Sequence, residues 1–214
     1  MTTDPVSDSW ARLADSLIGG IAHALSNRIA TLSALSELMR MEDSPSENAD
    51  MLRKEVGRLE LLVQHLRLLG DESSVPAEAL QLPEVTAAAI ALHKYHRDLR
   101  DVAVVIGGDI TVQPVHVSRS RLVRVLLMLL AASAVAAGRE NAVHADFSAE
   151  DALVRVKLGP DGKATWSAEP SDALLDGARS WLGDGEGSIS RDGATILLEL
   201  PSLAAVRKRE RGSS

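Results

Sequence analysis

Two neighbouring apolar patterns with helical spacing place the strongest constraint on the fold of this 214-residue chain. In the second pattern, apolar residues follow one another at alternating intervals of four and three, which predicts a helix over residues 46–69 with one apolar seam. The members of this seam are Leu52, Val56, Leu59, Val63 and Leu66. The first pattern predicts a long helix over residues 9–41, with apolar residues at Leu13, Leu17, Ile21, Leu25, Leu32, Leu35 and Met39.

The segment between these helices has the composition of a loop, and Pro45 suits the first turn of the second helix. The two helices therefore predict an antiparallel hairpin domain over residues 8–70. A hairpin of this length has a narrow core when it stands alone. We expect two copies to pair into a four-helix bundle, which makes the chain a homodimer.

Residues 70–76 have the composition of a linker, and the pattern beyond them mixes both kinds of secondary structure. Helices are predicted over 82–100, 118–137 and 171–182. Strands are predicted over 102–106, 111–115, 142–148, 153–158, 164–168, 187–190 and 195–200, the first two joined by a turn at Gly107, Gly108 and Asp109. Together they predict an α/β sandwich over 77–203, followed by a basic, disordered tail over 204–214.

Composition excludes several classes of function. The net charge is −7, aromatic residues make up 2% of the chain, and no predicted element carries the basic stripe that nucleic acid requires. The chain has no cysteine, which excludes disulfides and thiolate metal sites. The longest apolar run, residues 123–137, is shorter than the ~20 residues that span a bilayer and contains Arg124. We expect a soluble, cytoplasmic protein with no nucleic-acid or membrane partner.

His23 is the first candidate for chemistry, because it lies on the first predicted helix about 130° from the centre of the apolar arc. Its neighbours on that side are small: Gly19, Gly20, Ser26 and Ala30. Two glycines inside a helix cost about 1 kcal/mol each relative to alanine, so their presence indicates the close approach of another body. The alternative is an incidental surface histidine on a helix that tolerates it.

Residues 21–29 (Ile-Ala-His-Ala-Leu-Ser-Asn-Arg-Ile) resemble the H-box of sensor histidine kinases, which lies on the first helix of a dimerisation hairpin. His23, Leu25 and Asn27 match the H-box pattern, whereas Ala24 replaces its acidic residue and Arg28 its proline. The resemblance extends to residues 121–134, which look like the kinase N-box helix, and to residues 187–201, which look like the closing strands of the kinase ATPase domain. Hairpin, linker and sandwich also follow the family's order.

Three further departures from the kinase pattern concern ATP binding. Met128 and Ala132 stand where the N-box asparagine would coordinate magnesium, and neither offers an oxygen ligand. The adenine-binding Asp-x-Gly-x-Gly motif is replaced by Leu158-Gly-Pro-Asp-Gly-Lys, without its aspartate in register. The interval from Gly159 to Ser171 is too short for an ATP lid. The resemblance therefore implies a domain that binds no cofactor.

The chain is thus similar to the histidine phosphotransferases built on a degenerate kinase scaffold. That resemblance implies a bacterial phosphorelay in which catalytic His23 carries a phosphoryl group between aspartates of response regulator receiver domains, and the receiver supplies the magnesium. Asn27 is the second catalytic candidate, for orienting a water or contacting the receiver. Gly19, Gly20, Ser26 and Ala30 would line the surface where the receiver docks.

Two other functions stay open. One is a non-catalytic adaptor that binds receivers or a kinase. The other is an ATP-dependent kinase with an aberrant site, and Met128 and Ala132 weigh against it. Arg28 is predicted to pair with Glu55 or Glu60 of the second helix. The remaining histidines are predicted to have no chemical role: His93 and His96 lie on a solvated helix surface, His65 lies beside the seam, and His116 and His144 have no partners. No metal site is predicted.

Overall fold

Two long helices precede a mixed α/β unit in the computed structural model, which describes residues 5–41, 46–70, 76–139, 141–162, 164–183 and 186–212. The helices are α1 (Pro5–Met41), α2 (Ser46–Leu69), α3 (Leu82–His93), α4 (Arg119–Ala137), α5 (Ala168–Leu182) and α6 (Leu203–Gly212). The strands are β1 (Glu78–Leu80), β2 (Val104–Gly108), β3 (Val115–Val117), β4 (Val143–Glu150), β5 (Leu153–Pro160), β6 (Ser188–Asp192) and β7 (Thr195–Pro201).

Helices α1 and α2 pack against each other as a hairpin, and both were predicted from their apolar spacing. The buried apolar residues of α1 include Leu17 and Ile21, and those of α2 are Leu62 and Leu69. The predicted seam of α2 is only partly buried, since Leu59 and Leu66 pack against the core whereas Val56 is 43% exposed and Val63 is 44% exposed. The loop at residues 42–45 and linker residues 71–75 lie outside the described residues.

A five-stranded sheet in the order β2-β4-β5-β7-β6 forms the centre of the α/β unit. Strand β2 runs parallel to β4, and the other pairs are antiparallel. The side chains of β5 and β7 alternate, so that one face of the sheet is apolar and packs on helices. The buried members are Val154, Val156 and Leu158 on β5, with Ile196, Leu198 and Leu200 on β7. Strands β1 and β3 form a separate antiparallel pair.

Helix α4 is the core helix of the α/β unit and contacts α2, α3, α5 and the sheet. Every residue from Leu122 to Ala134 is buried. In the described part of the chain, one helix, α4, has the length and apolar composition that could cross a membrane. Most of α4 is buried inside the fold. Gly138, with a φ of 67°, terminates the helix in a conformation that glycine adopts readily.

A buried cation joins the hairpin to the α/β unit. The guanidinium carbon of Arg124, on α4, lies 4.5 Å from the ring centroid of Trp181 on α5 and 5.3 Å from that of Trp10 on α1. The same guanidinium donates to the backbone carbonyl of Gly70, directly after α2. The two indole rings meet edge to face with centroids 6.4 Å apart. We call Trp10, Arg124 and Trp181 the clasp, because they hold both ends of the hairpin.

Three predicted elements in the middle of the chain are wrong. The helix predicted over 82–100 ends at His93, because the His96 Nδ1 atom accepts backbone N–H groups of Asp98 and Leu99 at 3.2 Å and fixes a turn. The hairpin predicted at Gly107, Gly108 and Asp109 does not form, since β2 pairs with β4 instead. Residues 164–167, within the predicted strand 164–168, belong to no strand.

The prediction of a disordered tail over 204–214 is also wrong as far as Gly212, because α6 extends from Leu203 to Gly212. Ser202 explains the helix: its hydroxyl accepts the backbone N–H of Ala205 at 3.2 Å, and its carbonyl accepts that of Val206 at 3.0 Å. These contacts cap the first turn. Residues 213 and 214 lie outside the described part.

Candidate functional site

The His23 side chain is exposed in the middle of α1, on the side away from the buried apolar face, as the helical periodicity predicted. One turn later, the Asn27 side-chain nitrogen lies 3.3 Å from the His23 Nε2 atom. When this amide donates to Nε2, the remaining ring proton is on Nδ1. In that tautomer the Nε2 lone pair accepts the Asn27 N–H, and both side chains are exposed.

His23 and Asn27 open into a cleft of about 700 Å³ between α1 and the turn segment 94–100, which follows α3. We call it the histidine cleft. Four of its lining residues are basic and none is acidic. The cleft is lined by Gly19, Gly20, His23, Ala24, Asn27, Arg28, Thr31, Lys94, Tyr95, Arg97 and Arg100.

Gly19 and Gly20 let the turn segment approach α1. A Cβ atom on Gly20 would overlap the backbone carbonyl of Tyr95, and one on Gly19 would lie 2.7 Å from the Arg97 guanidinium. The body whose approach these glycines indicate is thus a segment of the same chain. Both are half-buried and line the histidine cleft, and their predicted role in receiver docking stays a prediction.

Ser26 and Ala30, the other two residues predicted for docking, are exposed on α1. The Ser26 hydroxyl donates to the carbonyl of Ala22 at 3.0 Å, within its own helix. Neither residue is among those that line the histidine cleft. Their role in docking stays a prediction.

Of the four cations of the cleft, Arg28 is paired within the hairpin. Its guanidinium donates to a Glu55 carboxylate oxygen at 3.1 Å, which confirms the predicted pairing across the helices. Glu55 is buried and also accepts Arg58. Arg28 therefore ties α1 to α2 below the histidine.

The other three cations, Lys94, Arg97 and Arg100, are exposed at the wall of the cleft. Among the described residues, neither the Lys94 ammonium nor the Arg97 guanidinium has a carboxylate within ion-pair distance. Arg100 has only Asp101, at 3.8 Å and well exposed. The Arg97 backbone N–H donates to the Ser16 hydroxyl at 3.2 Å, which fastens the turn segment to α1.

Sequence reasoning missed these three cations as part of the site. They are more than 70 residues from His23 along the chain, and only the packing of the turn segment on α1 brings them together. The signal present in the sequence is a basic residue at every third position from 94 to 100.

The region that would bind a nucleotide in the kinases has a different character. Met128 and Ala132 are fully buried inside α4, so these positions face protein atoms. Strand β5 ends at Pro160 and α5 begins at Ala168, so that residues 161–167 alone connect them. In the part of the chain that the structure describes, no group of three or more His, Asp or Glu side chains could hold a metal ion.

Two of the predictions for the remaining histidines are wrong. His93 is fully buried rather than solvated, and its burial, followed by the nearby His96, lowers its pKa to about 4. His144 has a partner, since its Nε2 atom lies 2.7 Å from an Asp161 carboxylate oxygen. His65 is buried beside Tyr95, and burial lowers its pKa as well.

The fold and the cleft together define a helical hairpin, joined to an α/β sandwich, that presents an exposed histidine. A scan against protein-family models finds no match, and neither does a search of curated proteins. Among solved structures, the chain is similar to the histidine kinase AdeS of Acinetobacter baumannii, with 16% identity and a TM-score of 0.47 over 85% of this chain and 98% of that one.

Two further similarities are of the same order. One is to the histidine kinase ThkA, solved in complex with the response regulator protein TrrA, with 19% identity and a TM-score of 0.47 over 85% of this chain and 60% of that one. The other is to a bacterial phosphotransferase, with 12% identity and a TM-score of 0.41 over 88% of this chain and 95% of that one. At such scores, these are distant likenesses in shape, and they assign neither activity nor partner.

Proposed function

We propose that this chain is a histidine phosphotransferase of a bacterial phosphorelay, which carries a phosphoryl group on His23 between receiver-domain aspartates without using ATP. The observation that supports it best is the exposed His23 imidazole in a cleft that contains four cations and no acid. A cleft of this charge suits a phosphoryl group. The burial of Met128 and Ala132 supports a reaction in which no nucleotide is bound.

The proposed step is an in-line displacement at phosphorus. The Nε2 lone pair of His23 attacks the phosphorus of a receiver phosphoaspartate and forms the N–P bond. The P–O bond to the aspartate breaks, and the carboxylate leaves with its electron pair. The ring keeps its Nδ1 proton during the attack and can release it to water afterwards. The reverse sequence delivers the group to the aspartate of a second receiver.

Asn27 is proposed as the group that prepares His23 for this step. Its amide lies 3.3 Å from Nε2 and, as a donor, selects the tautomer with a lone pair on that nitrogen; the amide moves aside when this lone pair attacks phosphorus. Once the N–P bond has formed, the same amide lies beside the new phosphoryl group and can donate to one of its oxygens. Asn27 is therefore catalytic in the direct sense, as it touches both the nucleophile and the transferred group.

The α/β unit has a supporting role in this proposal. Its turn segment forms one wall of the histidine cleft, and the clasp keeps the hairpin in place against it. We further propose that two copies pair through their hairpins, so that each receiver meets a bundle of four helices.

The test is transfer from a phosphorylated receiver. Receiver domains encoded by the same genome are charged with ³²P by a histidine kinase, freed from ATP and incubated with this chain. We expect at least one of them to label the wild type, His23→Ala to take no label, and Asn27→Ala to be labelled at least tenfold more slowly. Labelling of the His23→Ala variant, or of no wild-type protein by any receiver, would contradict the proposal.

The adaptor function is distinguished in the same experiment. An adaptor predicts receivers that bind wild type and His23→Ala with equal affinity and label neither. An ATP-dependent kinase predicts that the chain labels itself with [γ-³²P]ATP and magnesium alone. We expect no such label, and calorimetry with ATP and magnesium checks the nucleotide site independently, because micromolar binding would overturn the proposal for the α/β unit.

A further inference from the structure

We propose that Lys94, Arg97 and Arg100 bind the phosphoryl group while it is attached to His23, so that the α/β unit completes the transfer site with a cationic wall. This inference rests on the proposed function and deepens it. It assigns a chemical role to the turn segment 94–100, which follows α3 and is not part of the hairpin. We call these three residues the cationic wall.

The first argument is the distribution of charge. The chain as a whole has a net charge of −7, and yet the histidine cleft has four basic residues and no acidic residue in its lining. Glu55 pairs with Arg28, so the cationic wall holds the three other positive charges of the cleft. Like charges gathered around one cavity repel each other, so their arrangement stabilises the fold less than alternation of charges would.

The second argument is that the wall is held in place by the backbone. The turn segment is fixed at one end by the close contact of Gly20 with Tyr95 and by the bond from the Arg97 N–H to Ser16. It is fixed at the other end by two N–H groups that the His96 Nδ1 atom accepts. Because the backbone of the turn is already ordered, binding through the wall costs only the entropy of its side chains.

The third argument concerns the chemistry of the phosphoryl group. A phosphohistidine has about two negative charges on three acceptor oxygens, whereas His23 in its neutral form has none. Lysine and arginine donors bind phosphate oxygens with charge-assisted hydrogen bonds. The cationic wall therefore stabilises the phosphorylated state of His23 relative to the unmodified state, which favours acceptance of the group from an aspartate.

The experiment uses a small phosphodonor, so that no receiver takes part. Phosphoramidate transfers its phosphoryl group to histidine and releases ammonia. The full chain is phosphorylated on His23 in this way, and the ³¹P NMR shift of the phosphohistidine is followed against pH. In Arg97→Gln and in the triple variant Lys94→Gln, Arg97→Gln, Arg100→Gln, we expect the phosphoryl group to titrate at a higher pH than in the wild type, by roughly half a unit for each cation removed. Labelling by phosphoramidate should also slow by about tenfold in the triple variant.

The matched control is Lys157→Gln, which removes one positive charge from an exposed position on β5 outside the cleft. This variant should titrate like the wild type. Because all three residues of the wall are exposed, the variants are expected to fold, and thermal unfolding checks this.

Equal titration of wild type and triple variant would overturn the inference. If the triple variant lost only its labelling by receivers, the wall would be a docking surface for receiver carboxylates, which also overturns it. In both cases transfer to His23 still occurs and the proposed function stands. If neither phosphoramidate nor any receiver labels His23 of the wild type, the proposed function itself fails.

Discussion

Gly20 is the residue at which helix propensity and packing oppose each other most directly. An alanine there gains about 1 kcal/mol of helix propensity, but its Cβ would overlap the Tyr95 carbonyl, which is backbone and cannot rotate away. Overpacking of this kind costs about 1–3 kcal/mol. We therefore expect Gly20→Ala to lower the free energy of unfolding by about 1 kcal/mol, measured by urea denaturation.

Gly57 provides the matched control on α2. A Cβ added there meets nothing within 4 Å, so Gly57→Ala should raise the free energy of unfolding by about 0.5–1 kcal/mol. Opposite signs for the two variants are the expected result. Equal stabilisation by both would mean that the turn segment does not rest on α1 in solution, and the histidine cleft would then be open on that side.

His93 makes the stability of the fold depend on pH. It is buried, and neither of its ring nitrogens has a hydrogen-bond partner among the described atoms. Its pKa falls from 6.5 to about 4, so the unfolded chain binds a proton in this interval and the folded chain does not. Stability is therefore lost as pH falls from 6.5 toward 4, by about 2 kcal/mol at pH 5.

The measurement compares wild type with His93→Leu by urea denaturation at pH 7, 6 and 5. The carboxylates and the other histidines contribute to both proteins, so the difference between the two isolates His93. We expect the variant to be at least as stable at pH 7, since no unsatisfied ring nitrogen remains, and to lose about 2 kcal/mol less on going to pH 5. Parallel pH curves would show that His93 is hydrated or partnered in solution.

At this scale, sequence reasoning reached the parts of the site that lie within one helix or across the hairpin. Periodicity placed His23 away from the apolar face, and the spacing of four residues placed Asn27 beside it. The pairing of Arg28 with Glu55 followed from the hairpin. The cations from 94 to 100 could not be placed, because their position depends on tertiary packing between α1 and a turn whose existence the helix prediction over 82–100 excluded.

Among the elements, α1 depends on contacts at its beginning as well as on its pairing with α2. Trp10 lies against the Arg124 guanidinium and Trp181, and cation–π contacts of partly desolvated groups contribute about 1–2 kcal/mol. We expect Trp10→Ala to loosen the start of α1 and the end of α2 while the central sheet stays intact. The rate of amide hydrogen exchange should rise at residues 5–17 and 62–70 and remain unchanged in β4, β5 and β7.

Trp166→Ala is the matched control for this prediction. Trp166 is stacked under Arg191 at 4.8 Å and donates to Asp172, and neither of these residues belongs to the hairpin. Its removal should leave exchange in α1 and α2 as it is in the wild type. A Trp10→Ala variant with unchanged exchange throughout would show that the clasp does not hold the hairpin.

The elements that could be predicted from sequence are those with a strong internal pattern. The long helices α1, α2 and α4 and the alternating strands β4, β5 and β7 have such patterns, and they appear close to their predicted bounds. The pairing of β2 could not be read in this way. The N–H of Asp109 donates to the Phe147 carbonyl at 2.8 Å, so the residue after β2 still pairs with β4. The Asp109 side chain accepts the N–H of Thr111, and no hairpin forms at this position.

For the molecule as a whole, the hairpin leaves several large apolar side chains exposed. Val56 and Val63 of the predicted seam are 43% and 44% exposed, and on α1 Ile18 and Ile29 are 46% and 53% exposed. Exposed apolar side chains on two long helices favour association. The proposed homodimer would bury such side chains against its own copy, with each hairpin supplying the same face.

Val63→Glu tests this proposal. The variant is expected to fold, because the Val63 side chain is exposed in the single protomer. A carboxylate in the centre of an apolar bundle would lack a partner, and burying such a charge is strongly unfavourable. We expect the variant to sediment as a monomer at concentrations where the wild type sediments as a dimer. Gln64→Glu adds the same charge at the next exposed position of α2 and should leave the dimer in place. If both variants stayed dimeric, the copies would meet through a surface other than the seam. If the wild type were a monomer, a receiver would have to dock on a single hairpin whose seam faces water.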